Sequence, residues 1–527
     1  MRKYFISLVS VFTIVCLFNC SNSENESVLE EEEEIIIEET FNYTSAAKYN
    51  LNVVYFIPKD KKDNLESHRR LSEILLQGQN FYKKNMIANG FGDKTFNMLV
   101  DKEKKKIKID YVVGQYNASF YPYEGGGNKM ISEIEAYYAS NPDKKNSDHY
   151  LVLSPVDDPK NSDAPYYGLG KWCFATDFNN MDVKHLGAGN TYSENATIYI
   201  GGLLHELGHG LNLPHNKEKV SDKSNSEKGT ALMGAGNYTY GKSPTFITKA
   251  SCAILNNNQI FSSSNDTYYS GASGSVKGLE ATFKNGTINI SGTVEANVSV
   301  NNISIYNDPA DDNADYDAVT WYTPVTSGNT FSMSMPINEL HKKVNTEYVL
   351  RILLNHTNGD ITRLSYAYKF ENGIPIIDFG EKEYLSKINW SIKSISSEET
   401  SGQENTGLTT AILDNDSATY WHSCWSGNCA GATYPHSITV DVGTDLTVNG
   451  FAFIQRNSLS RAIKEVEISV SNDNITWTSV GNYTLNNVNT AQNIRLTNRA
   501  TFRYFKIEAK SSHDGDRFAA LAEVYCF

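Results

Sequence analysis

Apolar residues fall into three successive rhythms along the chain. Between residues 46 and 265, short apolar runs alternate with longer stretches of helical period. Residues 51–57, 96–100, 107–113, 150–153 and 166–174 predict strands, and residues 63–90, 132–139 and 196–211 predict helices. That mixture makes an α+β domain. From 270 to 380 the runs become short and β-prone, at 287–290, 298–306, 319–322, 331–335, 348–354 and 364–370. Turn residues separate them at regular spacing, which predicts an all-β sandwich. A boundary follows at 381–392. Residues 385–527 form a third domain, again all-β, with apolar/polar alternation at 438–442, 466–470 and 502–509.

Residues 1–19 read differently. Arg2 and Lys3 precede an apolar run from Phe5 to Phe18 that is too short to span a bilayer comfortably. The run ends Leu17-Phe18-Asn19-Cys20, which resembles a bacterial lipoprotein signal and implies lipidation of Cys20, export and attachment to the surface-exposed outer membrane of the cell envelope; the alternative is an ordinary cleaved signal and secretion. Residues 20–45 form a tether, and nine glutamates between 24 and 39 keep it extended by self-repulsion. The net charge of −14 argues against a nucleic-acid partner. Export permits disulfides. Cys424 and Cys429 are close enough to clip one loop, and Cys173 and Cys252 could join two elements, although connectivity does not follow from sequence. No CxxC pair exists, which speaks against a thiolate zinc site.

The chemistry concentrates in one helix. His205 and His209 are four residues apart and share a helix face, so two imidazoles can reach one metal, with Glu206 beside them to take a proton from water. Their flanks are apolar (Ile200, Leu203, Leu204, Leu207, Leu211), and polar groups buried there need partners. His215 follows His209 by six residues. It can return to the metal only if the helix stops near Asn212, a residue that tolerates the left-handed conformation, and Pro214 prevents the helix from resuming. Three imidazoles and an open fourth position describe a catalytic zinc site.

The segment His205–His215 resembles the metzincin metallopeptidases, whose pattern is HExxHxxGxxH, with Asn212 in place of the family's glycine. The resemblance implies a Met-turn beneath the metal, for which Met233 is the candidate. Ala235 occupies the position where other metzincins carry an oxyanion-supporting tyrosine, and Tyr238 and Tyr240 lie nearby. The signal and residues 46–265 together resemble the zinc-dependent metalloproteinase lipoproteins of Bacteroidetes-type bacteria. This implies a twisted sheet ahead of the active-site helix and an edge strand at 166–174 along which a polypeptide substrate pairs.

Residues 385–527 resemble discoidin (F5/8 type C) domains and family 32 carbohydrate-binding modules. The matches are Ala411–Ser423, Ile438–Gly443, Val470–Trp477 and Ala522–Val524. The resemblance implies a jelly-roll sandwich, a structural calcium held by Asp414, Asp416, Thr419 and Glu523, and a carbohydrate site among His422, Trp425, Arg456 and Phe518. The middle sandwich, of Ig/fibronectin-like type, reads as a spacer. Its Asp-rich loop at 308–317 lacks EF-hand spacing and reads as solvated. Together these readings describe an exported, lipid-anchored zinc metalloendopeptidase directed to glycoproteins or glycans. The alternative is a non-enzymatic carbohydrate-binding surface adhesin with an inactive metallo domain.

Overall fold

The computed structural model describes residues 40–527 apart from 311–312, 378, 380–383, 402–406 and 427–431. The signal, Cys20, the acidic run and Cys429 lie outside the described residues. One compact unit runs from Asn42 to Phe527. It starts a few residues before the expected boundary at 46: the Asn42 amide donates to Asp101 Oδ2 (2.8 Å), and Thr44 exchanges two backbone hydrogen bonds with Val100.

The first domain is built on a five-stranded sheet of β1 (Asn52–Ile57), β2 (Asp110–Val113), β3 (Tyr150–Pro155), β4 (Gly168–Leu169) and β5 (Trp172–Asp177), in the order β2-β1-β3-β5-β4. All pairs are parallel except the short edge strand β4, which runs antiparallel to β5. Helices α1 (Ser67–Ala88) and α3 (Ser193–Gly210) cover one face and α2 (Gly126–Ser140) the other. Val53 and Tyr55 pack with Leu71, Leu75 and Leu204, whereas Val54 and Phe56 pack with Met130 and Ile134. With both faces covered, β1 is apolar from Val53 to Ile57 instead of alternating. A buried ion pair ties α1 to the end of β5: Arg70 Nη1 and Asp177 Oδ1 are 2.5 Å apart, and the Tyr55 hydroxyl donates to Asp177 Oδ2.

Three expectations change here. The run 166–174 is a hairpin of β4 and β5 turning at Gly170, which has a positive φ of 61°. The strand expected at 96–100 shrinks to Val100–Asp101, because Phe96 and Met98 reach the core from irregular chain. Cys173 and Cys252 are both free and buried, not joined. Cys173 packs under α3 and donates to the Tyr150 carbonyl, while Cys252 sits near Asn89 on the short helix α4 (Lys249–Asn256).

The middle domain pairs a three-stranded sheet (Gly274–Lys284, Thr287–Ala296, Thr330–Pro336) with a five-stranded one containing Val300–Pro309, Val319–Pro324, Glu347–His356 and Ile361–Glu371. It is more than a spacer. Tyr306, Ala318 and Leu353 belong to the same apolar core as α1 and α3. Ser304 donates to the Ala250 carbonyl of α4 (2.9 Å), and Asn257 bonds both Asn301 and the Asn355 carbonyl. The third domain is a sandwich dominated by His436–Ile454, Ile463–Ser471 and Gln492–Ser512, with Trp421 buried in its core. Among the described residues, no helix is long and apolar enough to cross a membrane.

Candidate metal centre and associated sites

Helix α3 carries its polar residues on a buried face, and the chain then turns sharply. Asn212 adopts φ 71°, as the spacing of His209 and His215 requires. The Leu213 amide returns to the Gly208 carbonyl (3.0 Å), closing the helix. The turn brings His215 back over the helix. His209 Nε2 lies 3.1 Å from His205 Nε2 and 2.9 Å from His215 Nε2. Among the described residues, no other group of His, Cys, Asp or Glu side chains converges in this way.

The outer nitrogens fix the chemistry of the inner ones. His205 Nδ1 donates to the Leu232 carbonyl (2.7 Å), His209 Nδ1 to the Leu213 carbonyl (2.8 Å) and His215 Nδ1 to the Ala314 carbonyl (2.7 Å). A carbonyl only accepts, so each Nδ1 carries the proton and each Nε2 presents a lone pair. His209 Nε2 faces each of the other two lone pairs at about 3 Å, and all three lie within 4.8 Å of one another, an arrangement that repels unless a cation lies between them. Tetrahedral zinc with nitrogens at about 2.0–2.1 Å needs N···N separations of about 3.3 Å, and the two separations at His209 come within a few tenths of an ångström of that value. Burial also keeps the rings neutral, with His205 held down at about 4 and His209 at about 3.

Met233 lies buried beneath the cluster. A Cβ on Gly208 would come within 2.4 Å of its sulfur, so glycine at 208 lets the helix pack this closely on Met233. Glu206 sits beside the histidines. Burial pushes its carboxyl up to about 8, against a hydrogen bond from the Gly168 backbone of β4. A cleft of about 660 Å³ opens over Glu206, His209 and His215, between the β4 edge and the middle domain, with Tyr123, Tyr166, Tyr269 and Tyr316 in its walls.

Two contributors to this centre escape sequence reasoning. The loop at 313–318, expected to be solvated, lies against the third histidine: Ala314 accepts from it, and the Tyr316 ring stacks on it at 3.7 Å. Nothing local in the sequence marks a contact 99 positions away. His149 caps the C-terminal end of α3 next to His209, donating from Nδ1 to the Gly210 carbonyl (2.7 Å) and accepting at Nε2 from the Tyr269 hydroxyl (2.6 Å).

In the third domain, several oxygens of the four residues expected around calcium are already engaged by neighbouring groups. Asp414 accepts from the Asp416 amide and the Thr419 hydroxyl. Glu523 is fully buried and ion-paired with Lys387, whose ammonium also donates to the Ile412 carbonyl. A lysine ammonium against the same carboxylate does not fit a calcium cage. The expected carbohydrate residues do assemble: His422, Trp425, Arg456 and Phe518 line one cavity of about 460 Å³ together with Ser460, Arg461 and Arg517. Glu399 shapes its rim, accepting from the Trp425 and Ser426 amides (2.9 Å each). Burial alone would raise the Glu399 carboxyl, but these bonds hold it down at about 2. Cys424 is disulfide-bonded.

Comparison with known proteins agrees with this division. The F5/8 type C domain model matches residues 391–524. A sialidase from Micromonospora viridifaciens is 30% identical over 149 residues, which is 27% of this chain and 21% of that protein's length. OgpA from Akkermansia muciniphila is 34% identical, with a TM-score of 0.60, over 65% of this chain and 99% of that one. A catalytically inactive form of OgpA, similar to this chain to the same degree, was crystallised with an O-glycopeptide substrate, glycodrosocin. With 34% identity to OgpA across nearly the whole of that protein, the chain belongs to the OgpA family and carries an F5/8 type C domain beside it.

Proposed function

We propose that this protein is a zinc-dependent metalloendopeptidase of glycoproteins, exported and lipid-anchored to the cell envelope through Cys20. The observation that carries this reading is the convergence of three Nε2 lone pairs beside a buried glutamate in an open cleft. Zinc, when bound by His205, His209 and His215, supplies a Lewis acid that polarises the scissile carbonyl and makes water more acidic. Glu206 takes the proton of the attacking water and passes it to the leaving amine. The Gly168 amide orients that carboxylate. The β4 edge offers backbone groups to an extended peptide, and the tyrosine walls offer apolar faces to a sugar. The glycopeptide bound by OgpA supports a glycosylated substrate. The third-domain cavity, with Trp425 as a partly exposed face between Arg456 and Arg517, is the proposed carbohydrate holdfast.

The test is hydrolysis of an O-glycopeptide and its unglycosylated counterpart by residues 21–527, with and without a zinc chelator, beside Glu206→Ala. Chelator-sensitive cleavage of the glycosylated peptide, reduced about 10²–10⁴-fold in the variant, is expected. Stoichiometric zinc without cleavage of either peptide would instead favour the surface-adhesin reading.

A further inference from the structure

Hydrolysis of an amide leaves negative charge on the carbonyl oxygen in the transition state, and a second donor facing that oxygen is worth a large part of the rate. The first domain does not provide an obvious one. Ala235 has no donor side chain. Tyr240 is buried against Phe81, and Tyr238 is 61% exposed on the surface. Of the cleft tyrosines, Tyr166 donates to the Tyr199 carbonyl and Tyr269 to His149, so their protons are spent, while the Tyr167 hydroxyl is engaged by the Gly127 amide and the Tyr123 ring packs edge-on against Tyr167, away from the histidine rings that Tyr316 stacks on.

Tyr316 differs on each count. Its ring lies 3.7 Å from His215 at 25° and 6.2 Å from His205 at 12°, which places it over the metal ligands. It is 42% exposed to the cleft, and its hydroxyl has no hydrogen-bond partner among the described residues. Glu206 and the hydroxyls of Tyr238 and Tyr123 are its electrostatic neighbours.

The loop that presents it is strained and clamped. Ala314 and Asp315 take consecutive positive φ values of 53° and 69°, which for non-glycine residues costs about 1–2 kcal/mol each. Asp315 pairs with Arg351 (2.6 Å), and Arg351 also pairs with Asp308 (3.1 Å). Asp317 pairs with Lys217 (2.5 Å) and Lys342 (2.7 Å), and the Lys217 amide donates to the Ala318 carbonyl. Strain held this firmly beside a site has a use. We propose that Tyr316, delivered by the middle domain, donates its hydroxyl hydrogen bond to the scissile carbonyl oxygen as that oxygen becomes negatively charged.

This rests on the peptidase reading, and the experiment separates the two. Tyr316→Phe is compared with wild type and Tyr238→Phe for kcat, KM, zinc content and affinity for a phosphinic glycopeptide, whose tetrahedral oxygens imitate the transition state. In Tyr316→Phe, kcat falls about 10²-fold with KM and zinc content nearly unchanged, and phosphinate affinity falls by a similar factor. Tyr238→Phe stays near wild type. Unchanged kcat in Tyr316→Phe, or a loss confined to KM, overturns the assignment while leaving the peptidase intact. A wild-type protein that cuts no peptide overturns both.

A separate observation concerns the third domain. Lys387 and Glu523 are both almost wholly buried, and Lys387 reaches the Ile412 carbonyl beside Asp414. The second Glu523 oxygen accepts no hydrogen bond, and Asp414 stands beside it as a like charge. We infer that the Lys387 ammonium serves as the domain's internal cation, making its fold independent of calcium. Thermal unfolding of the zinc-loaded protein should shift by less than about 1 °C between a calcium-selective chelator and millimolar calcium. Lys387→Met should become calcium-responsive or fail to fold in the chelator. A wild-type protein that contains stoichiometric calcium and loses several degrees in the chelator would overturn the inference.

Discussion

At the histidine centre, every outer nitrogen is spent on a backbone carbonyl and every inner nitrogen is left as a free lone pair. In the acidic loop of the third domain the allocation is reversed. Asp414 oxygens are taken by an amide and a hydroxyl, and one Glu523 oxygen is taken by a lysine while the other has no hydrogen-bond partner. Both clusters have residue types suited to a metal. They differ in whether the surrounding chain satisfies the donor atoms or aims them at a common point. The second arrangement leaves a free-energy deficit that a metal can fill.

The largest effect that would sharpen this contrast is on metal content. His209→Ala should abolish both zinc retention and hydrolysis, since it removes the imidazole that both of the others face. Asp414→Ala should leave zinc content and kcat within about twofold of wild type, with a cost confined to the loop at 414–419, on the order of 1 kcal/mol for lost capping bonds. Metal analysis and peptide kinetics on the two variants check this. Loss of activity in Asp414→Ala would break the comparison.

The histidine side was legible in the sequence because its determinants are local. The HExxH helix, the turn at Asn212 and the return of His215 all lie within eleven residues, and each follows from helix geometry. The clamp on His215 was not legible, because Ala314 and Tyr316 come from another domain and their loop shows only acidic composition. Acidic composition suggests solvation, yet Asp315 and Asp317 are consumed by Arg351, Lys217 and Lys342. The lysine beside the calcium candidates was hidden for a related reason. The loop's own residues match the pattern, and the lysine paired with Glu523 lies 27 positions before Asp414, outside any motif. The hairpin at 166–174 was misread as one strand because both arms are apolar and only Gly170 marks the turn.

Acid should act in opposite senses on the two regions. His149 is buried with both nitrogens bonded and held down at about 4, against an ordinary 6.5. Between those values the unfolded chain takes up a proton that the folded one refuses. The stabilisation is therefore complete above about pH 6.5 and is lost as pH falls through 4, on the order of 3 kcal/mol at most. The depressed ligand histidines act in the same direction. Glu523, pushed up to about 7 by burial, holds its proton more tightly when folded, so its contribution grows as pH falls from 7 to 4.5. Hydrogen exchange at pH 5 against pH 7 should show α3 opening more readily while the strand at 436–454 does not. His149→Gln, which can keep both bonds without titrating, should flatten part of the α3 response. Equal acid sensitivity in both segments would remove the distinction.

The smallest expected effect tests how the first centre is built. At Asn212 the backbone has to be left-handed so that Leu213 can accept from His209 and His215 can turn back. Glycine adopts that conformation without a Cβ penalty but gives up more freedom on folding, and the two terms oppose each other. Asn212→Gly should therefore change stability by no more than about 0.5 kcal/mol and leave zinc affinity unaltered. Asn212→Ala meets the penalty without relief and should cost about 1 kcal/mol. Part of that cost should appear as weaker zinc binding, because the strained turn carries one ligand directly and orients another through the Leu213 carbonyl. Urea unfolding and competitive zinc titration separate the two shares. If alanine weakens folding but not zinc binding, the turn only closes the helix; if it weakens both together, the same left-handed residue sets the ligand geometry.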